Sequence, residues 1–159
     1  MNDPDFDFGD ECMTLSDDKG RGKYFYAEES VVVTPPDKEI EMPETDINFE
    51  LKTDVLEDIM KKSNILKVVD VCLKSCPKSN GLYLYVTNKN NDSSNDYSVK
   101  VGESTGKKFN IVFKRENLKI IPGDYLVTVA NGISHFTNTS PDYKLEYWIA
   151  LEASSNYGE

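Results

Sequence analysis

The chain has 159 residues and a formal net charge of −10, with 38% hydrophobic and 29% charged residues. This composition is typical of a soluble globular protein that is large enough to bury a core. No apolar run approaches the roughly 20 residues needed to span a bilayer, and the acidic start MNDPDFDFGD lacks the basic and apolar regions of a secretion signal. We therefore expect no membrane partner.

The negative charge is concentrated at the front of the chain. Residues 1–46 contain 14 Asp and Glu against 4 Lys and Arg, whereas residues 47–159 contain 14 of each. An acidic protein does not coat nucleic acid through its overall charge. The neutral remainder can still carry a local basic surface, because the distribution of charge decides this and not the sum.

Cysteine and histidine give little support to metal binding or catalysis. The cysteines are Cys12, Cys72 and Cys76, and the single histidine is His135. An odd number of cysteines without a secretion signal indicates free thiols in a reducing compartment. One Cys-x3-Cys spacing without further ligands does not predict a metal site, and we find neither a glycine-rich phosphate motif nor a nucleophile paired with a base. We expect no cofactor, no metal and no enzymatic activity.

The first 45 residues predict a loose acidic start, a hairpin and a linker. Residues 1–10 offer little to bury. Residues 11–16 and 23–33 are strand candidates on either side of an Asp-Asp-Lys-Gly turn, and such a hairpin needs further strands for stability. Residues 34–45 hold three prolines and five charges, which predicts an extended connector.

The remainder predicts two similar halves, each consisting of a strand, a helix and three strands. The strand of residues 47–52 alternates apolar and polar side chains, and the helix after it begins with Thr53 as N-cap and ends near Asn64. The further elements are strands at 66–73, 82–88, 96–102 and 108–113, a short helix at 114–119, and strands at 125–130, 133–137 and 145–151. This order predicts an α+β fold with antiparallel sheets and both helices on one side.

Two blocks and the order of the elements resemble a known family. The blocks are NLKIIPGDY at 117–125 and YWIALEA at 147–153. The chain resembles the phage T4-type DNA polymerase sliding clamp, most strongly over 109–153, clearly over 55–66 and more weakly over 11–33. The resemblance implies the DNA-clamp fold, with antiparallel sheets outside and two short helices on the inner face. It also implies that residues 1–33 are the acidic tail and closing hairpin of a first domain whose start is missing, 34–45 the connector and 46–159 a complete second domain.

The resemblance implies a surface for duplex DNA and a pocket for partner tails. The helices would face DNA without sequence preference through Lys61, Lys62, Lys114, Arg115 and Lys119, with Lys52 and Lys67 as contributors. The pocket for the tail of a replicative DNA polymerase would be formed by Ile40, Met42, Tyr125, Trp148, Ala150 and Leu151. From the residues alone, solvated helix faces account for the cations, and ordinary sheet core accounts for the apolar residues.

Head-to-tail self-association is also implied, through edge strands at 23–33 and 96–102. The contact residues would be Tyr24, Tyr26 and Val31 on one copy, and Tyr97, Val99 and Val101 on the next. We therefore expect a processivity factor that encircles duplex DNA, is opened by a clamp loader and acts in the cytoplasm of an infected bacterial host. The alternatives are a clamp-fold binding module that does not encircle DNA, and a β-rich viral structural protein.

Overall fold

The computed structural model divides the chain into two units, Met1–Ile40 and Glu41–Glu159. It describes residues 3–32, 39–45, 47–76, 78, 80–91 and 93–157. The division falls within the predicted connector, of which residues 34–38 lie outside the described residues. No helix within the described ranges is long and apolar enough to cross a membrane.

The first unit is a three-stranded antiparallel sheet. Its strands are β1 (Asp5–Phe8), β2 (Cys12–Asp17) and β3 (Gly20–Phe25), and a 3₁₀ turn follows at Glu29–Val31. β2 lies in the middle of the sheet. β1 corrects our prediction of a loose start: in DFDF, phenylalanine and aspartate alternate with a period of two, which suits a strand with one apolar face.

The second strand of the predicted hairpin is shorter than expected. β3 ends at Phe25, and the N–H of Tyr26 still donates to the carbonyl of Glu11, which extends the pairing by one residue. Val31 lies in the 3₁₀ turn. The prediction that Val31 belongs to this edge strand is therefore wrong, because the chain leaves the extended conformation before reaching it.

The described residues of the second unit form two four-stranded antiparallel sheets. Their strands are β4 (Ile47–Leu51), β5 (Asp70–Cys76), β6 (Gly81–Thr87), β7 (Tyr97–Gly102), β8 (Phe109–Lys114), β9 (Tyr125–Ala130), β10 (Ile133–Asn138) and β11 (Glu146–Ala150). The first sheet has the order β11-β10-β9-β4, and the second has the order β7-β6-β5-β8. The predicted α+β fold with antiparallel sheets is confirmed.

One α-helix, α1 (Thr53–Leu66), connects the first sheet to the second. Leu56 and Ile59 on its apolar stripe are buried. The helix passes the predicted end at Asn64 and stops at Lys67, which takes a left-handed φ of 55° and donates its N–H to the Asn64 carbonyl. The following strand consequently begins at Asp70, later than predicted.

The second predicted helix is only a 3₁₀ turn at Arg115–Leu118. A segment of six residues is too short for a stable ladder of i to i−4 hydrogen bonds, and 3₁₀ turns are common in such connections. The side chain of Leu118 is buried and fixes the turn to the core. The expected pair of short helices is therefore corrected, within the described residues, to one helix of 14 residues and one turn.

The core lies between the inner faces of the two sheets and α1. On β4 the odd-numbered residues are buried and the even-numbered residues are exposed, as the alternation predicted. Phe136 packs edge-on against both Phe113 and Tyr125, with ring centroids 6.2 and 6.3 Å apart. These contacts join the two sheets, since Phe113 is on β8 whereas Phe136 and Tyr125 are on the first sheet.

Candidate nucleic-acid interface and docking surface

The N-terminus of α1 is held by a carboxylate from a distant loop. Asp124 Oδ1 accepts hydrogen bonds from the Thr53 N–H (2.8 Å) and the Thr53 hydroxyl (2.9 Å), and Asp124 Oδ2 lies 3.2 Å from Lys52 Nζ. These bonds, led by that from the Thr53 backbone, lower the pKa of Asp124. Thr53 is thus the first residue of the helix and not its N-cap, and an anion at the positive end of the helix replaces the predicted cap.

Arg115 joins the C-terminal end of α1 to the 3₁₀ turn. Its Nη1 donates to Asn64 Oδ1 at 2.7 Å and to the Ser63 hydroxyl at 3.2 Å, and its backbone N–H donates to the Val69 carbonyl at 3.0 Å. The turn therefore lies against the last turn of the helix. The structure brings Arg115 close to the half of α1 that carries the predicted lysines.

Charge is divided along α1. Its three carboxylates precede residue 59, and Lys61 and Lys62 follow. Lys62 Nζ lies 3.8 Å from Asp58 and 5.0 Å from the centroid of the Tyr97 ring. Lys61 is exposed, and no carboxylate of the described residues lies within ion-pair distance of it. The last turn of the helix contains no basic side chain. We call the segment with Lys61 and Lys62, in the C-terminal half of the helix, the basic end of α1.

A cleft of about 320 Å³ beside the 3₁₀ turn contains a third basic residue. Lys89 Nζ lies 2.7 Å from Glu152, and Lys114 Nζ lies 3.5 Å from the same carboxylate. Arg115 lines the cleft as well. Sequence reasoning missed Lys89 because it lies in an Asn-rich loop, and only the pairing of β5 with both β6 and β8 brings it next to Lys114.

The remaining predicted cations do not line this cleft. Lys119 is exposed after the turn, and Lys67 is exposed at the end of α1. Lys52 lies at the opposite end of the helix, where Glu50 (3.1 Å) and Asp124 (3.2 Å) hold it. The hydrogen bonds that Lys52 donates to these two carboxylates, above all the bond to Glu50, raise the pKa of Lys52. Lys52 is therefore not part of the basic end of α1.

Trp148 lies on the outer face of the first sheet. Strand register places it beside His135, and the two rings stack with centroids 4.0 Å apart and 10° between their planes. Ala150 and Ile133 form the adjacent row on the same face. These four residues, which we call the tryptophan patch, form an accessible aromatic and aliphatic surface.

A charged pair borders the tryptophan patch. Glu146 lies 3.2 Å from Lys144 Nζ and 3.4 Å from His135 Nε2. The hydrogen bond from Lys144 is the main reason that the pKa of Glu146 is lowered. An apolar centre with a polar rim is the usual composition of a protein–protein contact surface.

The other predicted docking residues are not part of this patch. Tyr125 is 1% exposed, and its hydroxyl donates to the Ile121 carbonyl at 2.6 Å. Its side chain lies on the core face of the sheet, which does not fit a docking role. Leu151 packs against the core, Met42 is half-buried in the second unit, and Ile40 is 45% exposed in the first unit.

β7 forms an edge of the second sheet. No strand within the described residues pairs with its outer side. Tyr97, Val99 and Val101 are half-buried toward the core, while the residues between them are exposed. In the first unit, Tyr24 is 65% exposed and Tyr26 is 43% exposed. The two predicted halves of a subunit contact are therefore an unpaired edge and an accessible strand.

Two antiparallel sheets with a helix on their inner side define the chain as a protein of the DNA-clamp fold. In a structural comparison it superposes on Archaeoglobus fulgidus PCNA, solved with the C-terminal region of FEN-1, with a TM-score of 0.51 and 12% identity, covering 96% of this chain and 65% of that one. The family model for the gp45 sliding clamp, C terminal, matches residues 48–153. The chain therefore belongs to the gp45 sliding clamp family.

Two curated relatives come from phages. The chain is 31% identical over 158 residues to the sliding clamp of Vibrio phage KVP40, covering 96% of this chain and 70% of that protein. It is 25% identical over 138 residues to the sliding clamp of Escherichia phage RB69, covering 84% of this chain and 60% of that protein.

Proposed function

We propose that this chain acts as a DNA polymerase processivity clamp in the infected bacterial host, in the cytoplasm. The observation that carries the proposal is the basic end of α1: Lys61 and Lys62 lie in the C-terminal half of the helix, and Arg115 is bonded to the nearby Asn64 at 2.7 Å. Membership of the sliding clamp family supports the same function. The clamp acts by holding the polymerase at its template, and the proposal includes no catalytic step.

Duplex DNA is the ligand of the α1 side. Lysine and arginine side chains attract phosphates without reading base sequence, which suits a protein that must move along the duplex. Lys114, Lys119 and Lys89 extend the basic surface beyond the helix. The ion pairs of Lys89 and Lys114 with Glu152 keep this attraction moderate, since each phosphate contact must compete with an existing carboxylate.

The tryptophan patch is the docking surface for the tail of the replicative polymerase. Large aromatic side chains surrounded by a polar rim commonly supply most of the binding energy in such contacts. Trp148 is half-buried, so part of its surface remains available. The small side chain of Ala150, next to it on the same face, is exposed. A clamp loader would open the ring.

Copies of the chain join head to tail through β3 of one copy and β7 of the next. An unpaired strand edge is a template for another strand. Register places Tyr24 on the same face as Met13 and Phe8, whereas the charged Lys23 lies on the other face. When β3 pairs with β7 so that Tyr24 and Tyr97 lie on the same face, the apolar face of the second sheet continues across the contact.

Primer extension on a long singly primed template tests the function. With the cognate polymerase and clamp loader, the wild-type chain should lengthen the products made in one binding event, and Trp148→Ala should abolish this effect while leaving the protein folded. The proposal would be contradicted if the products made with the wild-type chain were no longer than those made without it. Binding of the polymerase tail without longer products would instead indicate a docking module that does not encircle DNA.

A further inference from the structure

A groove of about 610 Å³ crosses the outer face of the second sheet. Lys74, Tyr85, Lys108 and Asn110 are among its lining residues. Register places Lys74 beside Asn110 on β8, and on the face of the sheet opposite to the core. The groove is therefore separate from the α1 side and belongs to a different sheet from the tryptophan patch. We propose that this groove binds a short acidic peptide segment of a partner protein.

The charge of the groove favours an acidic ligand. The described residues that line it include two lysines and no carboxylate, although the chain as a whole has a net charge of −10. Among the described residues, no carboxylate lies within ion-pair distance of Lys74 or Lys108, whereas the nearby Lys100 is paired with Glu103 at 2.6 Å. Two such cations at the wall of an open groove provide the charge complementarity that an acidic segment requires.

The wall and floor of the groove suit a peptide. Asn110 Oδ1 is buried and has no hydrogen-bond partner within the described residues. An unpaired buried acceptor is unfavourable, so this amide gains a hydrogen bond when it turns toward an N–H donor in the groove. The half-buried Tyr85 also lines the groove. The volume falls within the range of about 300–1,000 Å³ that is common for ligand sites.

The aromatic geometry favours a peptide over single-stranded nucleic acid. Single-stranded nucleic acid binds to proteins by stacking its bases on free aromatic faces along a track of cations. Here Lys74 Nζ already lies 4.7 Å from the centroid of the Tyr85 ring and covers that face. The ring of Tyr83, 6.2 Å away, is tilted by 54° to that of Tyr85, so the pair forms no parallel stacking platform. The lysine can still reach a carboxylate from this position.

Fluorescence anisotropy with a synthetic peptide tests the proposal. The probe is a labelled peptide of alternating Glu and Gly with a central Phe, and its control has Gln in place of Glu. We expect saturable binding of the acidic peptide only, weakened at least about tenfold in Lys74→Glu/Lys108→Glu, because both lysines would then repel the peptide carboxylates. Lys74→Gln/Lys108→Gln should also weaken binding of the acidic peptide. The control variant Lys19→Glu, a matched charge reversal in the first unit, should leave this binding unchanged.

A structural readout separates this site from general charge attraction. In an amide NMR titration, peptide binding should shift the side-chain signal of Asn110 and leave that of Asn64 unchanged. Equal weakening by Lys19→Glu, full binding to the double variants, or shifts confined to the α1 side would each overturn the proposal. So would tighter binding of oligothymidylate than of the acidic peptide at the same lysines, since the site would then be one for nucleic acid. Circular dichroism of each variant confirms that the comparison is made on folded protein.

Discussion

At the scale of single residues, Asp124 is the clearest case of a side chain that stabilises an element distant from it in sequence. Replacing it by Asn keeps the shape but removes the negative charge at the N-terminus of α1, where Asp124 accepts hydrogen bonds from Thr53 and pairs with Lys52. We expect Asp124→Asn to lower the thermal unfolding midpoint by a few degrees at neutral pH. Differential scanning calorimetry measures this change.

The same substitution has a defined pH dependence. Because the pKa of Asp124 is lowered in the folded state, its contribution is fully present above the unfolded-state pKa and is lost as the pH falls through the folded-state pKa. The difference in unfolding midpoint between wild type and Asp124→Asn should therefore shrink in the acid range between these two values. A difference that stays constant down to the lowest pH would show that the charge of Asp124 does not stabilise the helix. Asp142→Asn, at an exposed loop position, is a matched control.

Tyr125 and Trp148 give opposite predictions although both were assigned to docking from the sequence. Tyr125→Phe removes a buried hydrogen bond to the Ile121 carbonyl and should lower the free energy of unfolding by about 0.5–1.5 kcal/mol without changing tail binding. Trp148→Ala removes the centre of the tryptophan patch and should weaken binding of a polymerase tail peptide at least about tenfold. Denaturant unfolding and isothermal titration calorimetry measure the two effects. Weaker tail binding in Tyr125→Phe would contradict the assignment of Tyr125 to the core.

At the scale of elements, local pattern predicted most of the second unit and failed where an interaction is distant in sequence. The alternation along β4 and the helix that follows it are set by patterns of a few consecutive residues, and both were found in the structure. Which face of β11 carries Trp148 depended on the register with β10, which no local pattern contains. Lys89 became a candidate only through the pairing of strands that are distant in sequence.

The front of the chain shows a second limit of sequence reading. The acidic composition of residues 5–8 predicts a loose tail, yet the two phenylalanines alternate with the two aspartates and form β1. In this segment the alternation of apolar and polar residues predicts the structure better than the acidic composition does. For the segment 114–119 the error was one of length, since a stretch that short forms a turn and not a helix.

The basic end of α1 and the residues after the 3₁₀ turn should act together on DNA. In Lys61→Glu/Lys119→Glu, two exposed cations are reversed without touching the core. We expect the slope of log affinity against log salt for a labelled duplex to fall in magnitude by about 0.9 for each phosphate that the variant no longer neutralises. Fluorescence anisotropy at several salt concentrations measures this slope. Lys19→Glu makes a matched charge change in the first unit, and an equal effect of that variant would contradict a specific role for the α1 side.

At the scale of the whole molecule, the first unit presents an apolar face that its own strands do not cover. Phe6, Phe8 and Tyr24 lie on one face of its sheet and are 53%, 70% and 65% exposed. A protein does not usually leave several large aromatic side chains on one open face, so this surface is expected to take part in a contact. Under the proposed head-to-tail assembly, β3 pairs with β7 of the next copy, and at least the Tyr24 end of this face becomes part of the joint.

Assembly can be measured directly by multi-angle light scattering. A closed head-to-tail ring should have a whole-number multiple of the 18.0 kDa mass of the chain. Tyr24→Asp places a charge in the joint at an exposed position, where it should not affect folding, and it should shift the population toward the single-chain mass. Lys19→Glu, in the turn before β3, should leave the mass unchanged. A wild-type chain that remains monomeric at micromolar concentration would contradict head-to-tail pairing, because neither edge strand would then have found its partner.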